Sequence, residues 1–334
     1  MQSFAFTMPL DVAVVKGLTP AIDVRTIAVV RTMCLGTFSP SVLVEVATRT
    51  GALEHAGLAV QEIPATSSPA QFAALLDGEL DAVLTNPDNV VAYRCLPDNP
   101  LSRTADVRIL AAVDGGLGLS LFGQPGHTTP KQLHGGVLSV DAPTTGFAFI
   151  AYELLDRLGL RKDDDYSIQA MGSTPRRTEA LLTGQCHMTV LNAGNDLRAE
   201  GEGASRLSSV TSIGPYVGTV LAARGETIQR DGDALARLIE TLLQTSAELV
   251  EGKHIELALD ATQHRLGLDR ATAKRYLKTL VDPTEGLVAD GWMSPDALQT
   301  VVELRNRYFP GASELTVQAV LGSGIVDDGL LPAS

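Results

Sequence analysis

Residues 141–146 (DAPTTG) have the composition of an anion-binding turn at the start of a helix. An apolar run typical of a buried strand precedes them, and the pattern of residues 148–158 predicts a helix after them. Backbone N–H groups at a helix start, together with the hydroxyls of Thr144 and Thr145, favour a carboxylate, sulfonate or phosphate. The alternative is that one of these threonines is an ordinary N-cap.

Three further polar segments also follow predicted strands, at residues 32–39 (TMCLGTFS), 86–89 (NPDN) and 192–196 (NAGND). Ligands of parallel α/β sheets bind at the carboxyl ends of the strands, so all four segments line one cleft if two lobes face each other. Asn86 and Asn192 each offer an amide to a ligand, although asparagine is also common in turns. The predicted ligand-binding residues are Cys34, Gly36, Thr37, Phe38, Ser39, Asn86, Asp88, Asp141, Thr144, Thr145, Gly146, Asn192 and Tyr216.

Cys34 follows the first predicted strand and is a candidate nucleophile, provided that a base and a cation lower its pKa. The sequence places no base beside it, so the alternative is a small thiol that lines the pocket. Asp141 is the second candidate reactive group. The three cysteines and six histidines show no CxxC, HExxH or zinc-ligand spacing. We therefore predict no disulfide framework, no metal site and no cofactor.

Three other positions each have a functional and a structural interpretation. Tyr216 either closes over a ligand or packs within a hinge. Arg176 and Arg177 begin a predicted helix, and they either reach an anion or lie in solvent. Trp292, the single tryptophan, is predicted to anchor the core or a seam between elements.

The composition limits the kinds of partner. A chain of 334 residues with 45% hydrophobic residues exceeds what one core usually organises, which predicts two domains or lobes. The net charge of −13 lacks a basic stripe, so neither nucleic acid nor an anionic membrane surface is an expected partner. A small anion remains compatible with this charge, because a helix N-terminus or one cation suffices to bind it.

Targeting signals are the basis of the predicted localisation. Residues 1–19 contain no apolar run comparable to a signal-peptide core, and no stretch approaches 18 apolar residues. As the sequence stands, we expect a cytoplasmic protein without membrane insertion. A periplasmic or other extracytoplasmic location is expected if a leader has been removed.

Apolar runs and helical patterns alternate along the first half of the chain. This alternation indicates a parallel α/β sheet. The predicted strands cover residues 24–31, 58–63 and 81–85, the predicted helices 41–48 and 69–76, and a loop 32–40. Residues 74–86 (ALLDGELDAVLTN) and 180–192 (ALLTGQCHMTVLN) share Ala, Leu, Leu, Gly and Asn over 13 positions at an offset of 106. This internal echo predicts two similar α/β lobes.

Two glycine-interrupted segments, residues 107–122 and 208–223, are predicted to cross between the lobes and form a hinge. Helical patterns then fill the C-terminal part of the chain, over residues 234–250, 255–266, 270–280 and 295–308. We predict that these helices pack on the first lobe. The predicted first lobe is therefore discontinuous, with residues 24–115 and 218–330, and the second comprises residues 118–212.

Several segments together resemble the type II periplasmic binding proteins of the NMT1/THI5-like group. These segments lie within residues 41–63, 70–90, 135–160 and 173–196, in the family's order. The group includes ABC-transporter receptors for sulfonates, taurine, nitrate and pyrimidine precursors. The resemblance implies two Rossmann-like α/β lobes joined by a two-strand hinge. It also implies closure on a small organic molecule, with the four polar segments as the pocket.

Two functional classes follow from the residues and the resemblance. The first is a binding protein that captures a small anionic or polar heteroaromatic ligand by lobe closure, with an ABC permease as a possible partner. The alternative is a cytoplasmic lyase, hydrolase or isomerase of the same fold, since some relatives are enzymes. One of these, an aryl-sulfinate desulfinase, has its nucleophilic cysteine in a place similar to that of Cys34. A sensor domain is a third, weaker hypothesis.

Overall fold

The first strand of the structure begins later than the sequence pattern suggests. The computed structural model describes residues 30–311 and 314–332, so residues 24–29 of the predicted strand lie outside the described residues. The strand covers Arg31–Thr37, and the prediction of a loop over residues 32–40 was therefore wrong for most of that segment. The small and hydroxyl residues of this segment are extended because the backbone of the strand pairs with a parallel strand on each side.

The described elements alternate between strands and helices through most of the chain. The strands are β1 (Arg31–Thr37), β2 (Leu58–Pro64), β3 (Ala82–Thr85), β4 (Val107–Asp114), β5 (Ser120–Gly123), β6 (Val137–Val140), β7 (Ser167–Ala170), β8 (Met188–Leu191), β9 (Ser205–Ser209) and β10 (Thr219–Arg224). The helices are α1 (Val42–Arg49), α2 (Ala52–His55), α3 (Ser68–Asp77), α4 (Pro87–Cys95), α5 (Gly146–Arg157), α6 (Thr174–Leu182), α7 (Asn195–Gly201), α8 (Gly225–Val250), α9 (Ile255–Leu266), α10 (Arg270–Leu280), α11 (Pro295–Tyr308) and α12 (Val317–Gly322).

The strands form two five-stranded sheets with the same topology. Their orders are β2-β1-β3-β10-β4 and β7-β6-β8-β5-β9. In the first sheet β1 is parallel to β2 and β3, and in the second β6 is parallel to β7 and β8. The echoed segments contain β3 and β8, which occupy equivalent positions. The prediction of two similar α/β lobes is confirmed, and each sheet with its packed helices is called a lobe below.

The chain crosses between the sheets twice, and both predicted crossings are confirmed. It leaves the first sheet by the edge strand β4 and enters the second as β5, then returns from the edge strand β9 to β10. Both β5 and β10 pair antiparallel with their neighbours. The crossings touch at Gly116 and Gly218, where a Cβ atom on Gly218 would lie 2.4 Å from the Gly116 Cα atom. Only glycine permits this approach.

Helices cover both faces of the first sheet. The core on one face contains side chains of α1, α8, α9 and α10, and the core on the other contains those of α3, α4 and α11. The prediction that C-terminal helices pack on the first lobe is confirmed. Helix α11 also contacts α5, whose side chains form the core of the second lobe with Leu304 of α11.

Two expectations about the helical regions were incomplete or wrong. Helix α4 was not predicted, because most of its residues are buried and it therefore lacks the polar face that marks an amphipathic helix. Trp292 is 55% exposed, so the prediction of a core or seam anchor was wrong. Its backbone N–H is held by Asp290, which places it in a turn before α11. Within the described ranges, no helix is both long and apolar enough for a bilayer crossing.

Candidate functional site

A cavity of about 100 Å³ lies between the two lobes. A bound water needs roughly 10–15 Å³ on a comparable measure, so the space suits a ligand of several non-hydrogen atoms. Apolar side chains such as Leu43, Leu84 and Phe147 form much of the wall. The polar wall residues are Thr37, Ser39, Ser41, Ser68, Thr85, Asn86, Asn89, Asp114, Asp141, Thr145, Ser173, Thr174, Arg177, Asn192, Thr219 and Tyr276.

Five helices begin at this cavity, namely α1, α3 and α4 of the first lobe and α5 and α6 of the second. Proline in the first turn favours the helix starts of α3, α4 and α6. Helix α5 begins after Thr145, whose hydroxyl donates to the carbonyl oxygen of Ala142 at 2.9 Å and makes no cap bond. The alternative interpretation of Thr145 as an ordinary side-chain N-cap was therefore wrong. The first turn of α5 keeps N–H groups that no side chain among the described residues caps.

Arg177 is the cation of the cavity wall, and its side chain is only 1% exposed. Its guanidinium donates to four neutral oxygens. These are the carbonyl oxygen of Gly172 at 3.1 Å, the hydroxyl of Thr189 at 2.8 Å, the carbonyl oxygen of Val190 at 2.5 Å and the hydroxyl of Thr174 at 3.0 Å. It forms no ion pair with any described carboxylate. The interpretation of Arg177 as a solvated helix start was wrong, although Arg176 is exposed.

The charge of Arg177 persists at neutral pH in spite of its burial. Removal from water lowers the pKa of the guanidinium to about 10, and the negative charge of Asp141 acts in the opposite direction. A buried cation without an ion-pair partner is unfavourable unless another group compensates it. The cavity therefore provides a favourable position for an anionic group beside Arg177.

Two carboxylates line the same cavity. Asp141, at the end of β6, accepts hydrogen bonds from the backbone and the hydroxyl of Ser68, the first residue of α3. Asp114, at the end of β4, accepts from the backbone N–H of Gly116 at 2.8 Å. Burial raises the pKa of Asp114 to about 6. Asp141 accepts from the first residue of a helix, whereas the backbone partner of Asp114 lies in the first crossing.

The structure brings seven of the predicted site residues to the cavity. These are Thr37, Phe38, Ser39, Asn86, Asp141, Thr145 and Asn192. Asn86 has both amide hydrogens engaged, with the hydroxyl of Tyr216 at 2.7 Å and the carbonyl oxygen of Gly218 at 3.1 Å. Asn192 donates to the carbonyl oxygen of Gly116 at 3.1 Å. Both asparagines therefore line the wall and also hydrogen-bond to the backbone of the crossings.

The other six predicted site residues lie outside the cavity wall. These are Cys34, Gly36, Asp88, Thr144, Gly146 and Tyr216. Cys34 lies within β1, not after it, and it packs against the core formed by α3 and α4. Asp88 forms a buried ion pair with Arg305, which also donates to the carbonyl oxygen of Thr144. Tyr216 hydrogen-bonds to Asn86 and packs in the second lobe.

Several residues of the cavity have a weak signal in the sequence or none. Ser68 lies in a Ser-Ser-Pro helix start, and that pattern could have indicated it. Asp114 precedes two glycines in the first crossing, but a single acid in an apolar strand does not reveal its surroundings. Tyr276 reaches the cavity from α10, far along the chain. No group of three or more metal-ligating side chains occurs within residues 30–311 and 314–332.

Comparison with known proteins gives structural relatives only. No protein-family model and no curated protein sequence match the chain. The alkanesulfonate-binding protein SsuA from Xanthomonas axonopodis pv. citri, bound to MOPS, is similar with a TM-score of 0.69 and 15% identity. This likeness covers 86% of this chain and 97% of that one. The ligand-binding component of an ABC-type import system from Staphylococcus aureus, with zinc bound, has a TM-score of 0.68 and 13% identity over 90% and 97% of the two chains.

An enzyme is also among the structural relatives. The desulfurization enzyme DSZB has a TM-score of 0.59 and 11% identity, over 87% of this chain and 98% of that one. At such identities the likeness establishes a shared fold, and it spans nearly the whole of each chain. The two-lobed fold expected from the sequence resemblance is confirmed.

Proposed function

We propose that this chain, whose fold is that of the type II periplasmic binding proteins, binds a small anionic molecule between its lobes. The ligand class is a compact sulfonate or carboxylate. The fold is shared with sulfonate-binding proteins, but the assignment of an anion depends on this chain's own cavity.

The observation that carries the proposal is the buried guanidinium of Arg177 in the cavity wall. Its hydrogen-bond acceptors are neutral, and among the described residues it forms no ion pair. Asp141 compensates this charge only through space, without an ion pair, and an anion beside the guanidinium would add a direct counter-charge in a region of low dielectric, where the attraction is strong. The hydroxyl of Thr174 and the first turn of α5 offer further donors on the same lobe.

The burial of the cavity wall supports lobe closure as part of the proposal. Arg177, Thr145 and Thr174 are all buried, so a ligand that touches them must enter when the lobes are further apart. The crossings at Gly116 and Gly218 provide a narrow connection about which the lobes could rotate. The cavity volume favours a compact ligand over a heteroaromatic one.

The proposed physiological role is that of the solute-binding component of an ABC-type importer. One structural relative has this role, and receptors of such systems deliver ligand to a membrane permease. The role requires a location outside the cytoplasmic membrane. Fractionation of native cells, with detection of the protein in the extracytoplasmic fraction, tests this part of the proposal.

The division into moving bodies is also a proposal. The first body comprises residues 24–115 and 218–330, and the second residues 118–212. The two sheets and the crossing points support the division at the crossings, whereas residues 24–29 and 312–313 lie outside the described residues. A second structure with a different lobe angle tests them, because each body should superpose as a rigid unit.

The direct test is a thermal-shift screen of small sulfonates, carboxylates, phosphates and pyrimidines, followed by calorimetry on each stabilising compound. A ligand at 100 times its Kd should add about 2.7 kcal/mol to the free energy of unfolding. The Arg177→Gln variant should bind the ligand at least 10-fold more weakly, because the substitution removes the buried positive charge that faces the anion. Arg176→Gln is the matched control, since Arg176 is exposed, and its affinity should be unchanged.

Two outcomes would contradict the proposal. Equal affinities of Arg177→Gln and wild type, with both proteins folded by circular dichroism, would show that Arg177 does not hold the anion. Recovery of a chemically altered ligand after long incubation, detected by mass spectrometry, would instead support the enzymatic alternative.

A further inference from the structure

The first crossing has three consecutive residues with positive φ. The angles are 124° at Gly116, 48° at Leu117 and 81° at Gly118. Glycine adopts such angles readily, but in any other residue the Cβ atom then crowds a backbone carbonyl oxygen. Glycine would therefore be the ordinary residue at position 117 as well, and the leucine there is held in a strained conformation.

Backbone hydrogen bonds to both lobes hold Leu117 in this conformation. Its N–H donates to the carbonyl oxygen of Glu285, between α10 and α11 of the first lobe, at 2.8 Å. Its carbonyl oxygen accepts from the N–H of Ala193, which follows β8 of the second lobe, at 2.9 Å. The two peptide groups that flank its Cα atom are thus fastened to different lobes. A rotation that relieved the strain would cost at least one of these bonds.

The side chain of Leu117 lines the cavity. Leu117 is partly exposed, whereas Gly116 and Gly118 on either side of it are buried. Part of the side chain packs against the core of the first lobe formed with α1, α8, α9 and α10. Because the backbone is fixed on both sides, the rest of the side chain occupies a constant part of the space between the lobes.

A second strained residue lies beside Leu117. Five non-glycine residues of the described ranges have positive φ. Leu117 and Ala193, whose φ is 52°, both line the cavity and hydrogen-bond to each other, whereas Ser102, Asp163 and His254 are not part of the cavity wall. Strained backbone conformations concentrate at ligand sites, where the surrounding structure imposes them. A role in the cavity therefore accounts for a side chain at position 117.

We propose that Leu117 is a specificity-determining residue, whose left-handed backbone fixes its side chain in the cavity so that it limits the length of the ligand. This inference rests on the proposed function, because it concerns the size of the same anionic molecule. A compact acid leaves the side chain in place, whereas a longer acid has to displace a side chain that both lobes hold. Substitution by glycine frees this space and relieves the strain.

The test compares acids of the same kind that differ by three methylene groups. Calorimetry is carried out with propionate against hexanoate and with ethanesulfonate against pentanesulfonate. In the wild type the shorter member of each pair should bind at least as tightly as the longer one. Leu117→Gly should shift the ratio of affinities at least 10-fold toward the longer member of at least one pair, since each buried methylene contributes about 4-fold.

The matched control is Ser102→Gly. Ser102 also has a left-handed backbone, with a φ of 50°, but it is exposed and does not line the cavity. Its substitution relieves the same kind of strain, so it should leave the length preference unchanged. If Leu117→Gly does not fold, Leu117→Ala tests the length limit, because it also frees space in the cavity and should shift the preference in the same direction.

A second measurement tests the backbone of Leu117 without a ligand. Leu117→Gly should unfold at a higher urea concentration than Leu117→Ala, because both lose nearly the same packing but only alanine keeps the strain. The order should be reversed at Leu43, a wall residue in α1, since glycine weakens a helix more than alanine does. Alanine above glycine at both positions would contradict the fixed, left-handed placement of Leu117.

The outcomes of the calorimetry separate this inference from the proposed function. An unchanged length preference or a loss of all binding in folded Leu117→Gly, or tighter binding of both longer acids by the wild type, would overturn the length limit while leaving the anion site in place. Absence of binding by the wild type for all four acids and for the other acids of the screen would contradict the proposed function, and the length limit with it.

Discussion

Ser68 and Asp141 join the two lobes directly at the edge of the cavity. The backbone nitrogen of Ser68 lies 3.2 Å and 3.0 Å from the two carboxylate oxygens of Asp141, and its hydroxyl donates to the second of them. Both residues are buried, and Ser68 is the first residue of α3. The carboxylate of one lobe therefore occupies the anion-binding helix start of the other, a position where negative charge is favoured.

This contact should hold the ligand-free lobes together. Asp141→Asn removes the charge but keeps the shape, and hydrogen bonds to a charged group contribute about 1.5–3 kcal/mol. We expect the ratio of closed to open molecules to fall at least 10-fold, which increases the radius of gyration in small-angle scattering. Ser67→Ala is the control, since it removes the cap of α3 without touching Asp141. Identical scattering from Asp141→Asn and wild type would contradict this role.

Asp114 should make the free energy of unfolding of the ligand-free protein depend on pH. Its pKa in the folded state is about 6, above the ordinary aspartate value of 3.8 that applies to the unfolded chain. The folded protein therefore holds this proton more tightly than the unfolded one. The free energy of unfolding should therefore fall as the pH rises from about 4 to 7, by up to about 3 kcal/mol.

Asp114→Asn should lack this decrease, because the amide does not ionise. Urea unfolding of both proteins at several pH values measures the difference between their free energies of unfolding, in which the contributions of the other acids cancel, including that of Asp196, whose pKa is also raised by burial. Parallel pH profiles for the two proteins would show that Asp114 ionises normally in the folded state.

The buried ion pair of Asp88 and Arg305 should be essential for stability. Arg305 donates to both carboxylate oxygens, at 2.6 Å and 2.7 Å, and also to the carbonyl oxygen of Thr144 in the second lobe. Arg305→Met leaves a buried charge without a partner and should destabilise the protein by about 3–5 kcal/mol. Arg103→Met is the control, because its pair with Asp77 is half exposed and should contribute less than about 1 kcal/mol. Similar midpoints of denaturation for the two variants would disagree with this prediction.

Gly146 is needed for the close contact between the starts of α4 and α5. A Cβ atom at this position would lie 2.1 Å from Oδ1 of Asn86 and 2.7 Å from Cβ of Asp88. Gly146→Ala should therefore destabilise the protein by about 1–3 kcal/mol through overpacking. At Gly201 no atom lies within 4 Å of such a Cβ, so Gly201→Ala should be nearly neutral in the same thermal unfolding assay. An equally neutral Gly146→Ala would show that this interface adapts easily.

Cys34 should be dispensable for ligand binding. Its side chain packs against the core of the first lobe and does not reach the cavity. Cys34→Ser should bind the ligands of the screen within about 2-fold of the wild-type affinity, with a stability loss of roughly 1 kcal/mol from the partly buried hydroxyl. A larger loss of affinity, or turnover of a ligand by the wild type alone, would restore Cys34 as a functional residue.

The sequence by itself determined the alternation of strands and helices, the C-terminal run of helices and the duplicated architecture. Periodicity, helix caps and prolines act over a few residues, so α9, α10 and α11 were predicted with their observed bounds. The echo of residues 74–86 in 180–192 indicated two equivalent units of a helix end and a strand. The strands of these units are β3 and β8, which occupy equivalent positions in the two sheets. The placement of DAPTTG at a helix start followed from the same local signals.

Only the tertiary structure decided which side chains meet in the cavity. Ser68 and Asp141 are 73 residues apart, and Asp88 and Arg305 are 217 apart, so no local pattern relates them. The burial of Arg177 and Asp114 depends on neighbours from several distant segments. Cys34 lies within β1 because that strand continues to Thr37, beyond its predicted end, and its side chain therefore packs against the core of the first lobe. Burial and charge pairing result from contacts across the whole chain, and for that reason the fold was predictable from the sequence while most of the chemistry of its cavity was not.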